Sequence, residues 1–190
     1  MSRSSSALVS PLRERCTEIA AEEEILREGG GKAGRDRQHK LGRLFARERI
    51  AQLLDQDAPV FELGLWAAYK MYSEWGKIPD AGSIAGIGNV AGIPCLIIAN
   101  DATVKAGAFF PMTAKKLIRA QRIGFECNLP IIYLVDSAGV FLPMQDEIFP
   151  DEDDFGRIFR NKSLIPPAGI PQFADVLVNC VEGCAYLPVL

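Results

Sequence analysis

The sequence predicts a layered α/β protein, and three observations carry that expectation. SIAGIGNV and PCLIIAND, residues 83–90 and 94–101, read as two strands joined at Ala91-Gly92-Ile93. IIYLVD, residues 131–136, is apolar on both faces, as a strand buried between two layers must be. Helical patterns separate this run from the strands on either side. The order strand, strand, helix, strand, helix, strand implies a sheet with right-handed crossovers.

Each element has its local signal. Ser10 followed by Pro11 reads as an N-cap and first helical residue. Leu12, Cys16, Ile19 and Leu26 then recur at helical spacing, an apolar face expected to pack on another element. Gly29, Gly30 and Gly31 are expected to stop this helix, and GKAGRDRQHK at 31–40 reads as a polar linker. A second helix is expected near Ala46–Asp55, with Ile50, Leu53 and Leu54 on one face. Residues 58–82 read as mostly irregular, with a short strand at Val60–Leu63 and a packed aromatic loop carrying Trp66, Tyr69, Tyr72 and Trp75. Pro94 suits the first residue of a strand, where its missing N–H matters least. Pro111 opens a helix with Leu117, Ile118, Gln121 and Phe125 on one face, ended by Asn128-Leu129-Pro130. A further helix near Asp154–Ser163 leads into the strand FADVLVNC, residues 173–180.

Composition narrows the function. The net charge of −3 argues against nucleic-acid binding by the whole chain. Residues 1–49 hold eleven Lys/Arg and eight Asp/Glu, and DEIFPDEDD at 146–154 is acidic; both read as solvated surface. No run reaches the length of a membrane span, and the polar start Met1–Ser6 is too short for a signal or transit peptide. Five cysteines, an odd number with no secretory signal, point to reduced thiols in the cytoplasm. A metal site is not expected: Cys180 and Cys184 have no CxxC partner, and the only histidine, His39, is remote in sequence.

Three loops at the carboxyl ends of strands remain as candidates for chemistry, because ligands of open α/β sheets sit there. They lie in ANDATVKAGAFFPMTAKK (99–116), VDSAGVFLPMQ (135–145) and NCVEGCAY (179–186). Ser137 lacks Gly-x-Ser-x-Gly spacing and has only His39 as a candidate base, so a serine triad is not indicated. A phosphate loop ending in Gly-Lys-Ser/Thr is absent. What remains is backbone chemistry: amide N–H groups beside small residues can stabilise an oxyanion or enolate without an acid–base side chain. Lys105, Lys115 and Lys116 flank the region and can meet phosphates.

These segments, together with FGRIF and the pattern GIPQ–strand–Cys-x-x-Gly-x-Ala-Tyr-x-Pro, resemble the carboxyltransferase β subunit of biotin-dependent acyl-CoA carboxylases. The likeness runs from about Gly31 to Leu190 and is nearest the methylcrotonyl-CoA carboxylase branch, with propionyl-CoA and acetyl-CoA carboxylases as relatives. The resemblance implies a crotonase-like fold of repeated β-β-α units. It implies an N-terminal helical segment and linker at 1–57, then the acyl-CoA carboxyltransferase N-terminal domain at 58–190. The apolar ending Leu187-Pro188-Val189-Leu190 fits a family chain halted midway. The implied activity moves a carboxyl group from carboxybiotin to the α-carbon of an acyl-CoA. Biotin is implied to arrive on a biotin carboxylase/biotin carrier α subunit, and the β subunits to form a homo-oligomer. The implied site comprises the backbone amides of Gly183 and Cys184 for the enolate oxygen. Lys105, Lys115, Lys116, Ala138 and Gly139 are implied to bind substrate.

The chain departs from the family pattern at several positions, most of them near its end. Cys184 adds a Cβ where close approach is wanted, and Glu182 brings a negative charge beside the same place. Asp175 is expected to be costly inside an apolar strand. Phe45 stands where the family commonly has a threonine able to cap the second helix with Glu48. Two other readings follow: a catalytically inactive fragment that keeps acyl-CoA or subunit binding, and a crotonase-like hydrolase or isomerase using Glu182.

Overall fold

The computed structural model describes residues 10–150 and 152–189, with the backbone alone at 182 and 183. Met1–Ser6 and the final Leu190 of the apolar ending therefore lie outside the described residues. The helices are α1 (Pro11–Arg27), α2 (Gly31–Lys40), α3 (Ala46–Leu53), α4 (Pro111–Glu126), α5 (Gln145–Ile148), α6 (Phe155–Leu164) and α7 (Tyr186–Val189). The strands are β1 (Phe61–Glu62), β2 (Ser83–Val90), β3 (Ile93–Asn100), β4 (Ile131–Ser137) and β5 (Gln172–Cys180), in one sheet of order β1-β2-β3-β4-β5.

β2 and β3 form an antiparallel hairpin, while β3, β4 and β5 run parallel. Parallel strands need a crossover, supplied by α4 and then by α5 with α6. The β2–β3–α4 succession is one β-β-α unit. The hairpin turn puts Ala91 and Gly92 in the left-handed region, at φ 52° and 76°. The Asp55 carboxylate holds both of their amides at 2.7 Å.

The sheet is covered on both faces. On one, α4 lays Thr113, Ala114, Leu117, Ala120, Gln121 and Gly124 inward, beside Leu96, Ile98, Ile131 and Tyr133. A Cβ at Gly124 would lie 2.9 Å from Leu96 Cδ2, so glycine lets this helix seat closely. Phe125, expected on the buried face, is 44% exposed because that face is centred on Leu117 and Gln121. On the other face, Ala46 and Ile50 of α3 pack with Ile84, Ile97, Ala99 and Leu134. The second helix is thus part of the sheet's own core. Its N-cap is Phe45, whose amide donates to Glu48 at 3.1 Å, half of a capping box. The aromatic loop is packed as expected: Trp66 meets Tyr69, Tyr72 meets Phe110, and Trp75 meets Phe141.

Two expectations at the N-terminus are corrected. Most of the apolar face of α1 has no cover among the described residues: Leu12 is 73% exposed, and only Leu26 is buried. The helix is held at its C-terminal end, where Arg27 meets Glu62 at 2.8 Å and Trp66 donates to Glu23 at 3.0 Å. Residues 31–40 are helix α2, where a linker was expected. The reason is visible in the glycines. A Cβ at Gly30 would lie 2.0 Å from the Thr103 carbonyl oxygen, and one at Gly34 would lie 2.9 Å from Thr103 Cβ. Gly30 N–H also donates to Thr103 Oγ1 at 2.9 Å. The helix docks by backbone proximity, which leaves no apolar stripe in the sequence to reveal it. Asp175, expected to be buried at a cost, is exposed on the edge strand β5.

Lys162 of α6 is buried in this core. Its ammonium donates to the Leu187 carbonyl and sits 4.5 Å over the Tyr133 ring. Burial pulls its pKa from 10.5 down to about 8. Between those values the unfolded chain holds a proton that the folded chain has released, so this group makes stability rise with pH across the window. Urea unfolding at intervals through it is expected to show wild type gaining on Lys162→Met as pH rises. A constant difference between the two would refute the assignment.

Candidate functional site

The three parallel strands end at the same edge of the sheet, and their loops meet there. Leaving β3, Asn100 and Asp101 are buried. Asp101 accepts from Thr103 N–H at 3.0 Å and from Thr103 Oγ1 at 2.6 Å, while burial pushes its carboxyl pKa up. The chain then makes a left-handed turn through Lys105, Ala106 and Gly107, at φ 47°, 54° and 70°. This lays Gly107 on the end of β4: a Cβ there would sit 2.2 Å from the Asp136 carbonyl oxygen.

The two loops are stitched by backbone bonds. Ala138 N–H donates to Ala106 O at 3.0 Å, Phe109 N–H to Gly139 O at 2.9 Å, and Phe141 N–H to Phe109 O at 2.8 Å. Gly139 N–H donates to Ser137 Oγ at 3.1 Å. The Ala138 amide and the Gly139 carbonyl thus join the two loops, while the Gly139 amide is used within its own loop. After β5, a 3-10 turn at Glu182–Ala185 carries Gly183 and Cys184 to the same edge. The Cys184 side chain is fully buried, with Sγ 3.3 Å from Ser137 Oγ. The added Cβ that set this chain apart from the family pattern is accordingly packed inward.

The three lysines part company. Lys105 and Lys115 are exposed, and neither has a carboxylate partner among the described residues. Lys105 Nζ lies near Gly76, 3.7 Å from where a Cβ would stand. Lys116 is buried instead: its ammonium pairs with the Asp80 carboxylate and donates to the carbonyls of Asp80 at 3.1 Å and Ser83 at 2.6 Å. Burial pushes the Asp80 carboxyl up to about 7 and pulls Lys116 down. The expectation that Lys116 meets substrate phosphate is corrected, because its ammonium already ties α4 to the start of β2.

Two groups gain a place at the site that the sequence does not assign them: Asp136, and Ser137, which the sequence raises only as a nucleophile. Asp136 is buried and pairs with Arg49 at 2.8 Å, joining α3 to the site edge, and it accepts from Asn179 N–H at 3.4 Å. Ser137 lies between all three loops. The only sequence signal for either is that Asp and Ser directly follow a run otherwise apolar on both faces. No group of three or more metal-ligating side chains occurs among the described residues, and no helix among them is long and apolar enough to cross a membrane.

A five-stranded α/β sheet with its candidate site in backbone loops at the strand ends is the crotonase-like arrangement of carboxyltransferases. Residues 37–190 match the carboxyl transferase domain family, and the chain belongs to that family. It is similar to the biotin-dependent 3-methylcrotonyl-coenzyme A carboxylase beta1 subunit of Mycobacterium tuberculosis. That match is 51% identical over 162 residues, covering 85% of this chain and 30% of that protein. The mitochondrial methylcrotonoyl-CoA carboxylase beta chain of Arabidopsis thaliana is 46% identical over 162 residues, covering 85% of this chain and 27% of that one. Among solved structures, the P. aeruginosa geranyl-CoA carboxylase beta subunit superposes with a TM-score of 0.82 at 33% identity, over 98% of this chain and 35% of that one. Transcarboxylase 12S, at 24% identity and a TM-score of 0.83 over 95% of this chain and 35% of that one, shares the fold. The chain thus spans about 30% of the length of the first relative and 27% of the second.

The two neighbouring lysines give a direct check on this geometry. Lys116→Met leaves buried Asp80 with only the more distant Arg47, 3.7 Å away, and is expected to cost about 3 kcal/mol of stability. Lys115→Ala, at an exposed position, is expected to change it by less than about 0.5 kcal/mol. Urea midpoints that moved equally for the two variants would contradict the buried pairing.

Proposed function

We propose that the chain is the acyl-CoA-binding part of a biotin-dependent acyl-CoA carboxylase carboxyltransferase. The observation that carries this reading is the convergence of three backbone-rich loops at one sheet edge. Both buried carboxyl groups there are engaged: Asp136 is paired with Arg49, and Asp101 accepts two bonds from Thr103. Such a place is suited to hold an oxyanion by amides and is poorly suited to general acid–base chemistry. It therefore favours carboxyl transfer over hydrolysis or isomerisation by Glu182.

In this reading the exposed ammonium groups of Lys105 and Lys115 attract the phosphates of CoA. The thioester lies along the strand ends, and the amides of Gly183 and Cys184 face its oxygen as negative charge develops. The Ala138–Gly139 loop forms the adjoining wall. Carboxybiotin supplies the carboxyl group; biotin comes on an α-type biotin carboxylase or carrier subunit, and no residue here is assigned to hold it. Several relatives carry biotin dependence or an acyl-CoA carboxylase activity in their names, which supports this cofactor and substrate class. Assembly with further β-type copies is supported by the exposed apolar face of α1, at Leu12, Ile19 and Ile25. The five free cysteines suit a reducing compartment, which we take to be the cytoplasm.

Calorimetry with CoA at low and high salt tests the binding step. Two exposed ion pairs of up to ~1 kcal/mol each should make Lys105→Ala/Lys115→Ala bind roughly tenfold more weakly. Wild-type affinity should also fall as salt rises. Affinity indifferent to both salt and the double substitution would overturn the assignment.

A further inference from the structure

We infer that Ser137 is a positioning residue, whose hydroxyl sets where the Gly183–Cys184 turn stands relative to the other two loops. This inference rests on the carboxyltransferase reading for its chemistry, but its geometry is independent of that reading. Ser137 Oγ donates to the Gly107 carbonyl at 2.7 Å and accepts from Gly139 N–H at 3.1 Å. A hydroxyl has one proton, and here Gly107 takes it. The 3.3 Å contact with Cys184 Sγ therefore has the thiol as donor. One atom is thus bonded to a group from each of the three strand-end loops. Ser137 is fully buried, so water has no access to substitute for any of these bonds.

The strand register points the same way. Between Val135 and Ser137 the pairing of β4 with β5 shifts: Val135 lies opposite Val176, and Ser137 lies opposite Cys180. Two steps along β4 thus match four along β5. Irregularities of this kind bend a strand and re-aim a side chain. Here the shift coincides with the residue whose hydroxyl reaches Cys184. Cys180 Sγ, directly across from Ser137, donates in turn to the Cys184 carbonyl at 3.3 Å, so the turn is gripped on its thiol and on its backbone. Amide donors act on a developing oxyanion only when placed to within about 0.5 Å. A hydroxyl that fixes their loop therefore acts on the reaction without touching substrate.

Ser137→Ala removes one oxygen and adds no bulk. Two measurements on the full chain, wild type and variant, test the inference. Amide hydrogen exchange should quicken roughly tenfold in segments 105–109, 138–141 and 182–186, with β2 and β3 unchanged. Exchange that is unchanged, or that rises uniformly, overturns the inference. The second measurement compares affinity for acetyl-CoA with affinity for S-ethyl-CoA, a thioether that lacks the carbonyl oxygen. Wild type should prefer the thioester; the variant should lose that preference while holding S-ethyl-CoA within about twofold of wild type. Equal weakening toward both ligands would reduce Ser137 to a stabilising residue and overturn its positioning role. A wild type that binds both alike would remove the carboxyltransferase reading and the carbonyl part of this inference with it, while the exchange data still decide whether the hydroxyl holds the loops.

Discussion

The candidate site depends on one close contact, that between Gly107 and the end of β4. A side chain at this position would run into the Asp136 carbonyl, so the loop after β3 can lie on β4 only as glycine. Much of the site edge follows from that approach. It brings Ala106 within reach of Ala138, lines Phe109 up beside Val140, and gives the Ser137 hydroxyl a carbonyl to meet. The aromatic stack of buried Phe110 on Phe141, with centroids 4.4 Å apart, packs the same two loops together. The left-handed φ values of Lys105 and Ala106 are the backbone cost of reaching this arrangement, of a kind that tends to collect at functional sites.

A second layer of organisation is electrostatic. Glu62 on β1 receives Arg27 from α1 and Arg47 from α3, and the two guanidinium groups hold its carboxyl below the usual range against the opposing pull of burial. Arg47 reaches on toward Asp80, which is bonded to Lys116 of α4. Charges from four elements are thereby chained along one flank of the sheet. Buried pairs of this kind add little net stability against a well-packed apolar alternative, but losing one member is severe. Their evident service is to specify how α1 sits on the sheet, which its sparse apolar contacts do not do.

The sheet was legible because its signals are local and strong. The hairpin 83–100, the buried run at 131, and the helices after Pro111 and Asp154 all stand where their periodicity and punctuation place them. What periodicity cannot express was lost. Helix α2 has no apolar stripe, since its contact with Thr103 is made by glycine backbone. Lys115 and Lys116 are adjacent and chemically alike in sequence, yet one helical step puts one in water and the other against Asp80. Ser137 belongs to a strand, and nothing in the letters around it shows that Gly107 and Cys184 come to the same atom. The family resemblance named loops that meet at one end of the sheet, but long-range contacts decide what each residue in them does.

Strand β5 stands at one side of the sheet among the described residues. Phe173 and Val176 are both exposed along it, and one edge of the strand has no pairing partner among the described residues. A rim of this sort is a template on which another extended chain can grow, the first step toward amyloid-like stacking. Asp175 lies between Phe173 and Val176 in the sequence and is exposed too. A carboxylate there makes in-register stacking of identical strands repulsive, since each added copy would bring a like charge to within one strand spacing, about 4.8 Å. The residue that stands out in an apolar strand thus puts a like charge into any such stack.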